Sequence, residues 1–375
     1  MVLLELAFSR AQLSRTPYLT NDGEGNRVYK LDPDLLATVQ AMPKIELHRH
    51  LEGSVRLDTL LDIAQQYGME MPDYTAETLR PFVQMMPDET RDSKHFLSKF
   101  MTLRQFYRRE DIVARIAREV VEDAARDNVQ YMELRFTPKA LCNFLECPYH
   151  EMVALVCDVG NEAARECGIQ VRYIISMNRH ESVELGEMAL QAALRHVDKG
   201  VVGLDLAGDE ANHSALPFRD LFRKAKSHSL FITIHAGEWA GAGSVWDAIG
   251  NMKADRVGHG IKVLQDPSMV NVVVEREIAL EICPTSNYLS GIVDDIAEHP
   301  MKELTRQHVL TTINTDDPSI CDVTLSEEIA RAIQYMGLSL PEVKSYTLRA
   351  ARTAFLPRHE REALVRQFQG FFATV

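Results

Sequence analysis

The chain has 375 residues, 46% hydrophobic and 25% charged, the balance of an ordinary globular protein with a core large enough for one α/β barrel with insertions. Its 41 lysines and arginines against 54 aspartates and glutamates leave a formal charge of −13, which repels phosphate backbones and anionic lipid and so excludes nonspecific nucleic-acid or membrane-surface binding. No window approaches the ~20 apolar residues of a membrane span, and the expected partner is a small molecule, uncharged or cationic.

The first segment, "MVLLELAFSRAQLSR", lacks the basic region, long apolar stretch and cleavage site of a secretory leader, which predicts a cytoplasmic chain. Residues 1–40, with "NDGEGN", read as an extension, and 41–375 as a single domain. Cys142, Cys147, Cys157, Cys167, Cys283 and Cys321 form no CxxC pair and are expected to be reduced.

From residue 44 the chain repeats one theme: a short apolar run rich in β-formers, a polar or glycine-rich turn, then a helical stretch. The runs are "KIELHRH", "VQYMELRFTP", "QVRYIISMN", "VVGLDLAGDE", "LFITIHAGE", "ADRVGHG", "IALEICPTSN" and "VLTTINTDDP". Between most of them lie helical stretches such as "EMVALVCDVGNEAAREC" and "PFRDLFRKAKSHS". Strands alternating with helices predict a parallel sheet, and eight such strands predict a closed (β/α)8 TIM barrel. The alternative, an open doubly wound sheet, has no GxGxxG after the first strand and no Walker-type lysine loop to support it. The first connection is far longer than a plain βα unit needs. Residues of about 55–127 therefore read as a helical insertion. Within it Phe96, Phe100, Leu103 and Tyr107 recur at helical spacing, with Leu97 and Met101 alongside, which suits packing on the barrel or a lid over its mouth.

Polar residues cluster at the carboxyl ends of the runs, where barrel enzymes build their sites. On the first strand His48 and His50 stand two residues apart, so their side chains share a face while Arg49 points elsewhere. A zinc ion takes three or four N, O or S ligands at about 2.0–2.3 Å. His235 ends the fifth run and Asp316 the eighth, and together with the first pair they make a candidate metal set. Glu238, three residues beyond His235, is a candidate proton donor, its pKa raised by burial. His259 stands between two glycines, free to approach, orient and deprotonate the attacking water. In "DDP" neighbouring side chains point apart, so Asp316 ligates and Asp317 faces the substrate. Gly208 permits close approach of a flat ligand.

The motifs "ELHRHLEGS", "YMELRFTP", "LDLAGDE", "HAGE", "RVGHG", "CPTSN" and "NTDDP", in this order over residues 43–355, resemble the adenosine deaminase family of zinc-dependent amidohydrolase barrels. The resemblance implies one Zn2+ per chain on His48, His50, His235 and Asp316. It also implies that Glu238 protonates purine N1, that His259 works on the water, that Asp317 contacts N7 and that the Gly208 amide contacts N3. The implied reaction is hydrolytic deamination of adenosine or deoxyadenosine, with a 5′-modified adenosine (aminodeoxyfutalosine or methylthioadenosine type) or free adenine as alternative substrates. Where the family commonly has an aspartate on the ribose, this chain has Glu52.

Overall fold

Eight parallel strands stand where the eight runs lie: β1 Lys44–His50, β2 Val129–Phe136, β3 Gln170–Asn178, β4 Val201–Ala207, β5 Phe231–Ala236, β6 Arg256–His259, β7 Ala279–Ile282 and β8 Leu310–Ile313. Each pairs with the next in chain order. They belong to a computed structural model that describes residues 19–21, 27–71 and 73–373. Most of the expected N-terminal extension, including residues 22–26 of "NDGEGN", lies outside the described residues. Among them, no helix is long and apolar enough to cross a membrane.

The sheet closes where the first and last strands meet. His50 N donates to the Asp316 carbonyl at 2.8 Å and Asp316 N donates to the His48 carbonyl at 2.9 Å, a parallel bridge centred on Arg49 and Asp316. With helices outside and side chains inside, both faces of the strands are covered, and β1, β6 and β7 are buried at every position. This is why the runs read as continuous apolar segments rather than alternating ones.

The barrel interior is charged. Arg256 on β6 reaches Glu133 on β2 at 2.5 Å and Glu281 on β7 at 2.6 Å. Arg135 on β2 reaches Glu281 at 2.8 Å. β6 and β7 are neighbours, but β2 adjoins neither, so the Arg256–Glu133 and Arg135–Glu281 contacts cross the barrel lumen. Further hydrogen bonds complete the carboxylates: Tyr131 OH (2.9 Å) and Phe355 N (2.6 Å) donate to Glu133, and Thr233 Oγ1 donates to Glu281 (3.1 Å).

Between β1 and β2 come four helices, α1 Leu57–Gln66, α2 Ala76–Val83, α3 Ser93–Leu103 and α4 Glu110–Arg126. The Asp92 side chain caps α3 by accepting from His95 N at 2.7 Å. Lys99, buried on α3, ties it down through Glu89 (2.5 Å) and the Pro81 carbonyl (2.7 Å). α3 divides the stripe expected to pack on the barrel or cover it. Phe96, Leu97, Phe100 and Met101 wall the cavity at the carboxyl end of the barrel, whereas Leu103 and Tyr107 are fully buried in the core.

Replacing Arg256 with methionine would leave Glu133 and Glu281 without their shared cation inside the barrel. Loss of one partner from a buried ion pair costs about 3–5 kcal/mol, which urea denaturation of Arg256→Met should register. A loss below about 1 kcal/mol would mean that water or Arg135 replaces the guanidinium.

Candidate active site

The ends of β1, β5, β6 and β8 bring His48, His50, His235, His259 and Asp316 together. The Nε2 atoms of His48 and His235 are 3.1 Å apart, and those of His50 and His235 are 3.2 Å apart. Asp316 Oδ1 lies 3.1 Å from His48 Nε2 and 3.4 Å from His50 Nε2. All are buried.

The hydrogens on these rings are fixed from behind. His48 Nδ1 faces Glu281 Oε2 at 2.8 Å and His235 Nδ1 faces Asp205 Oδ1 at 3.0 Å. Burial alone would raise the Glu281 pKa, but Arg135 and Arg256 override it and hold the carboxyl well below its usual range. Burial opposes ionisation of Asp205 as well, and His235 and Arg135 override it. An ionised carboxylate only accepts, so each Nδ1 carries a hydrogen, and in the neutral ring each Nε2 keeps a lone pair. Two imidazole lone pairs 3.1 Å apart with a carboxylate oxygen beside them repel unless a cation lies among them. The donor set, nitrogen-rich with one carboxylate, suits a divalent ion of the zinc type.

Ligand-capable atoms of His48, His235, His259 and Asp316 lie within 4.8 Å of one another, as do those of His50, Asp205 and His235. His259 falls in the first group and His50 in the second, with His235 in both. His259 Nε2 stands back, 3.8 Å from Asp316 Oδ2 and 3.6 Å from Glu238 Oε2, and its Nδ1 is engaged by Asn287 at 3.0 Å. His50 is the better placed of the two. His259 and Asp316 both adopt left-handed backbone conformations, with φ of 58° and 65°. Such strain in non-glycine residues is held only where surrounding structure over-determines it, commonly at functional sites. Ser286 Oγ, donating to Asp316 Oδ2 at 2.7 Å, is one such restraint.

Glu238 sits on a turn organised by a residue that the motif reading overlooked. The carboxylate of Glu210 accepts from the amides of Gly237 (2.7 Å), Glu238 (3.0 Å), Trp239 (2.6 Å) and Ala240 (3.0 Å), and from Ser244 Oγ (2.5 Å). Gly237, at φ 65°, makes the turn possible. Burial pushes the Glu238 carboxyl well above its ordinary value, and the charges of Asp316 and Glu210 add to it. Burial does the same for Asp317, helped by Asp316 and Glu52.

The cavity has about 820 Å³ of empty space, part of it open to solvent. Of the catalytic, metal-binding and substrate-binding candidates read from sequence, its lining contains all but His48: His50, Glu52, Gly208, His235, Glu238, His259, Asp316 and Asp317. Gly208 has φ 88°, and a Cβ there would come within 2.8 Å of His180 Nδ1. Glu52 is buried, and its Oε1 accepts from Thr137 N at 2.7 Å. Glu52 Oε2, Asp317 Oδ1, Asn178 Nδ2, Trp239 Nε1 and Arg104 Nε are buried without a hydrogen-bond partner. All five belong to residues that line the cavity. Buried polar atoms are rarely left unpaired, so the five describe what a ligand should bring.

A sequence model described as adenosine deaminase matches residues 43–370. The chain is 35% identical over 330 residues to an adenosine deaminase of Klebsiella pneumoniae, covering 87% of this chain and 98% of the relative. It belongs to the adenosine deaminase family. An adenosine deaminase of Escherichia coli O1:K1 is 35% identical over 323 residues, covering 86% of this chain and 96% of the relative. Among solved structures, the N6-methyl-AMP deaminase of Arabidopsis thaliana superposes with a TM-score of 0.78 at 28% identity, covering 89% of this chain and 98% of that one. An adenine deaminase of Arthrobacter aurescens shares the fold, with a TM-score of 0.78 at 23% identity over 89% of this chain and 100% of that one. As a member of this family the chain is a metal-dependent aminohydrolase.

Asp205 and Glu281 support this family's metal set through the rings they orient. Partners of this kind are worth 10–100-fold in metal affinity, and Asp205→Asn should weaken binding of a divalent ion by that factor in competition with a chelator. Unchanged affinity would reduce Asp205 to a packing role.

Proposed function

We propose that the chain hydrolyses adenosine and deoxyadenosine to inosine and deoxyinosine with release of ammonia, using one Zn2+ held by His48, His50, His235 and Asp316. The observation that carries this reading is the meeting, in one buried cavity, of that ligand set with a carboxyl kept protonated at Glu238. When bound, the ion would supply Lewis acidity, which lowers the pKa of a coordinated water from 15.7 to about 7.

The protein's own groups account for recognition of the ring. Adenine presents N1, N3 and N7 as acceptors, and the cavity can offer a donor to each. Glu238, neutral by burial, gives its proton to N1 and makes C6 electrophilic. Asp317, also neutral by burial, donates to N7, and the Gly208 amide donates to N3. His259 Nε2, between Glu238 and Asp316, orients the attacking water. Phe96 and Phe100 close the apolar side and exclude solvent. Glu52 Oε2 is left to accept a ribose hydroxyl. The six free cysteines suit the cytoplasm, where thiols stay reduced.

One observation favours a second substrate class, the 5′-modified adenosines. Arg104 and Met101 wall both the main cavity and an adjoining one that also takes in Lys139, Asn143 and Glu181. A group on the sugar's 5′ carbon would have space there, with a cation beside it. Free adenine would leave Glu52, Arg104 and this space unused. Ammonia release from adenosine, deoxyadenosine, 5′-methylthioadenosine, AMP and adenine ranks the classes. An adenine rate above the adenosine rate would overturn the order proposed.

Chelation should abolish ammonia release and Zn2+ should restore it, whereas full turnover by metal-free protein would remove the assignment. Glu238→Gln should retain the metal and lose turnover by 10²–10⁴, the range for general acid–base catalysis. Near-normal turnover with bound zinc would make Glu238 structural.

Glu52→Ala should lower kcat/KM on adenosine by about 1.5–3 kcal/mol, the worth of a hydrogen bond to a charged group, while leaving slow adenine turnover nearly as it was. Equal losses on both would mean that Glu52 acts through Thr137 and the loop rather than on the sugar.

A further inference from the structure

Behind His259 lies a chain of buried hydrogen bonds whose direction is set by a backbone amide. Met301 N lies 3.1 Å from His299 Nδ1, His299 Nε2 lies 3.2 Å from Asn287 Oδ1, and Asn287 Nδ2 lies 3.0 Å from His259 Nδ1. His259, Asn287, His299 and Met301 are 1%, 0%, 5% and 0% exposed, so water does not compete.

The direction follows from chemistry alone. A backbone N–H can only donate, so His299 Nδ1 must be the accepting nitrogen. Burial lowers the His299 pKa to about 3, which keeps the ring neutral with its single hydrogen on Nε2. That hydrogen needs an acceptor, which turns the carbonyl oxygen of Asn287 toward His299 and its NH2 toward His259. The orientation of the amide, otherwise ambiguous, is thereby determined. His259 Nδ1 must then accept, and the hydrogen of its neutral ring must sit on Nε2. Asn287 is itself clamped by its backbone, its N donating to the Cys283 carbonyl at 2.9 Å and its carbonyl accepting from Ile292 N at 3.0 Å and Val293 N at 3.1 Å.

We propose that His299 and Asn287 are positioning residues that lock His259 in the Nε2–H tautomer, so that it meets the attacking oxygen as a hydrogen-bond donor. This inference rests on the deaminase reading and adds to it which nitrogen carries the proton at the start. His259 Nε2 faces the carboxylate side of the site, 3.6 Å from Glu238 Oε2 and 3.8 Å from Asp316 Oδ2. A donor there can hold a hydroxide, the water's proton having left to solvent before attack, by one of its lone pairs and direct another toward C6. In this tautomer Nε2 has no lone pair with which to take a proton from the water. The expectation from sequence that His259 both orients and deprotonates the water is thus narrowed to orientation.

The reversing variant is Asn287→Asp. An aspartate there accepts from both sides, so His259 would place its hydrogen on Nδ1 and present a bare Nε2 to the site, with almost no change in shape. With adenosine as substrate and metal content checked, kcat should fall at least 30-fold while KM moves less than threefold. In zinc-loaded protein labelled with 15N-histidine, with His259→Gln supplying the assignment, the Nε2 signal should pass from the protonated to the unprotonated range. His299→Leu, which cannot donate to Asn287, should lose kcat, and His299→Gln, which can, should recover at least a third of it. This pair decides the matter if Asn287→Asp does not fold. Wild-type turnover in Asn287→Asp, an unprotonated Nε2 in the unmodified enzyme, or equal activity of the two His299 variants would overturn the proposal. No ammonia from any substrate in the zinc-loaded unmodified protein would instead overturn the deaminase reading.

Discussion

The structure depends on aiming imidazole lone pairs at one another. His48 and His235 are held 3.1 Å apart because Glu281 and Asp205 take the hydrogens on their far sides. Two carboxylates buried in a barrel would ordinarily protonate or draw in water. Here Arg135 stands between them, 2.8 Å from Glu281 and 3.6 Å from Asp205, and Arg256 secures Glu281 from below. The charged lumen is the support that a cation site at the barrel mouth requires, and the helices and apolar strand faces outside supply the stability that a charged column does not.

The same logic of fixing protons from behind extends across the site. Glu210 gathers four amides and a hydroxyl around the turn that carries Glu238, so the turn is rigid where its carboxyl must be neutral. Met301, through two side chains, directs the hydrogen of His259. Burial first, then the charges of Asp316 and Glu210, raises the Glu238 carboxyl, and in the proposed chain Asn287 sets the tautomer of His259, so fixed surroundings rather than solvent govern both groups.

Much of this was legible in the sequence. The eight runs matched the eight strands because parallel strands buried on both faces give uninterrupted apolar stretches, and their polar ends marked the mouth. The interior charges were less visible. Glu133 and Arg135 in "YMELRF", Glu281 in "ALEI" and Asp205 in "LDLA" interrupt apolar strands. Their partners lie on other strands far along the chain, and pattern reading sees only local spacing. Helical periodicity likewise marked the Phe96 to Tyr107 stripe without resolving its two sides. Phe96 and Phe100 meet the cavity while Leu103, at the end of the same helix, meets the core, and a turn of 3₁₀ helix, Arg104–Phe106, separates it from the buried Tyr107. Glu210 was quoted as the last letter of "LDLAGDE" and passed over, since a carboxylate that binds only backbone amides leaves no partner in the sequence to find.

The seam of the barrel carries a consequence for biosynthesis. His48 and His50 are made early and Asp316 late, and the backbone bonds that join their strands are the ones that complete the ring. A nascent chain that has emerged only as far as β7 holds three imidazoles without the carboxylate. Its first strand has an open edge as well. Ring closure and completion of the ligand set are therefore a single event, and an ion that binds all four residues favours the closed barrel over every shorter or open form of the chain.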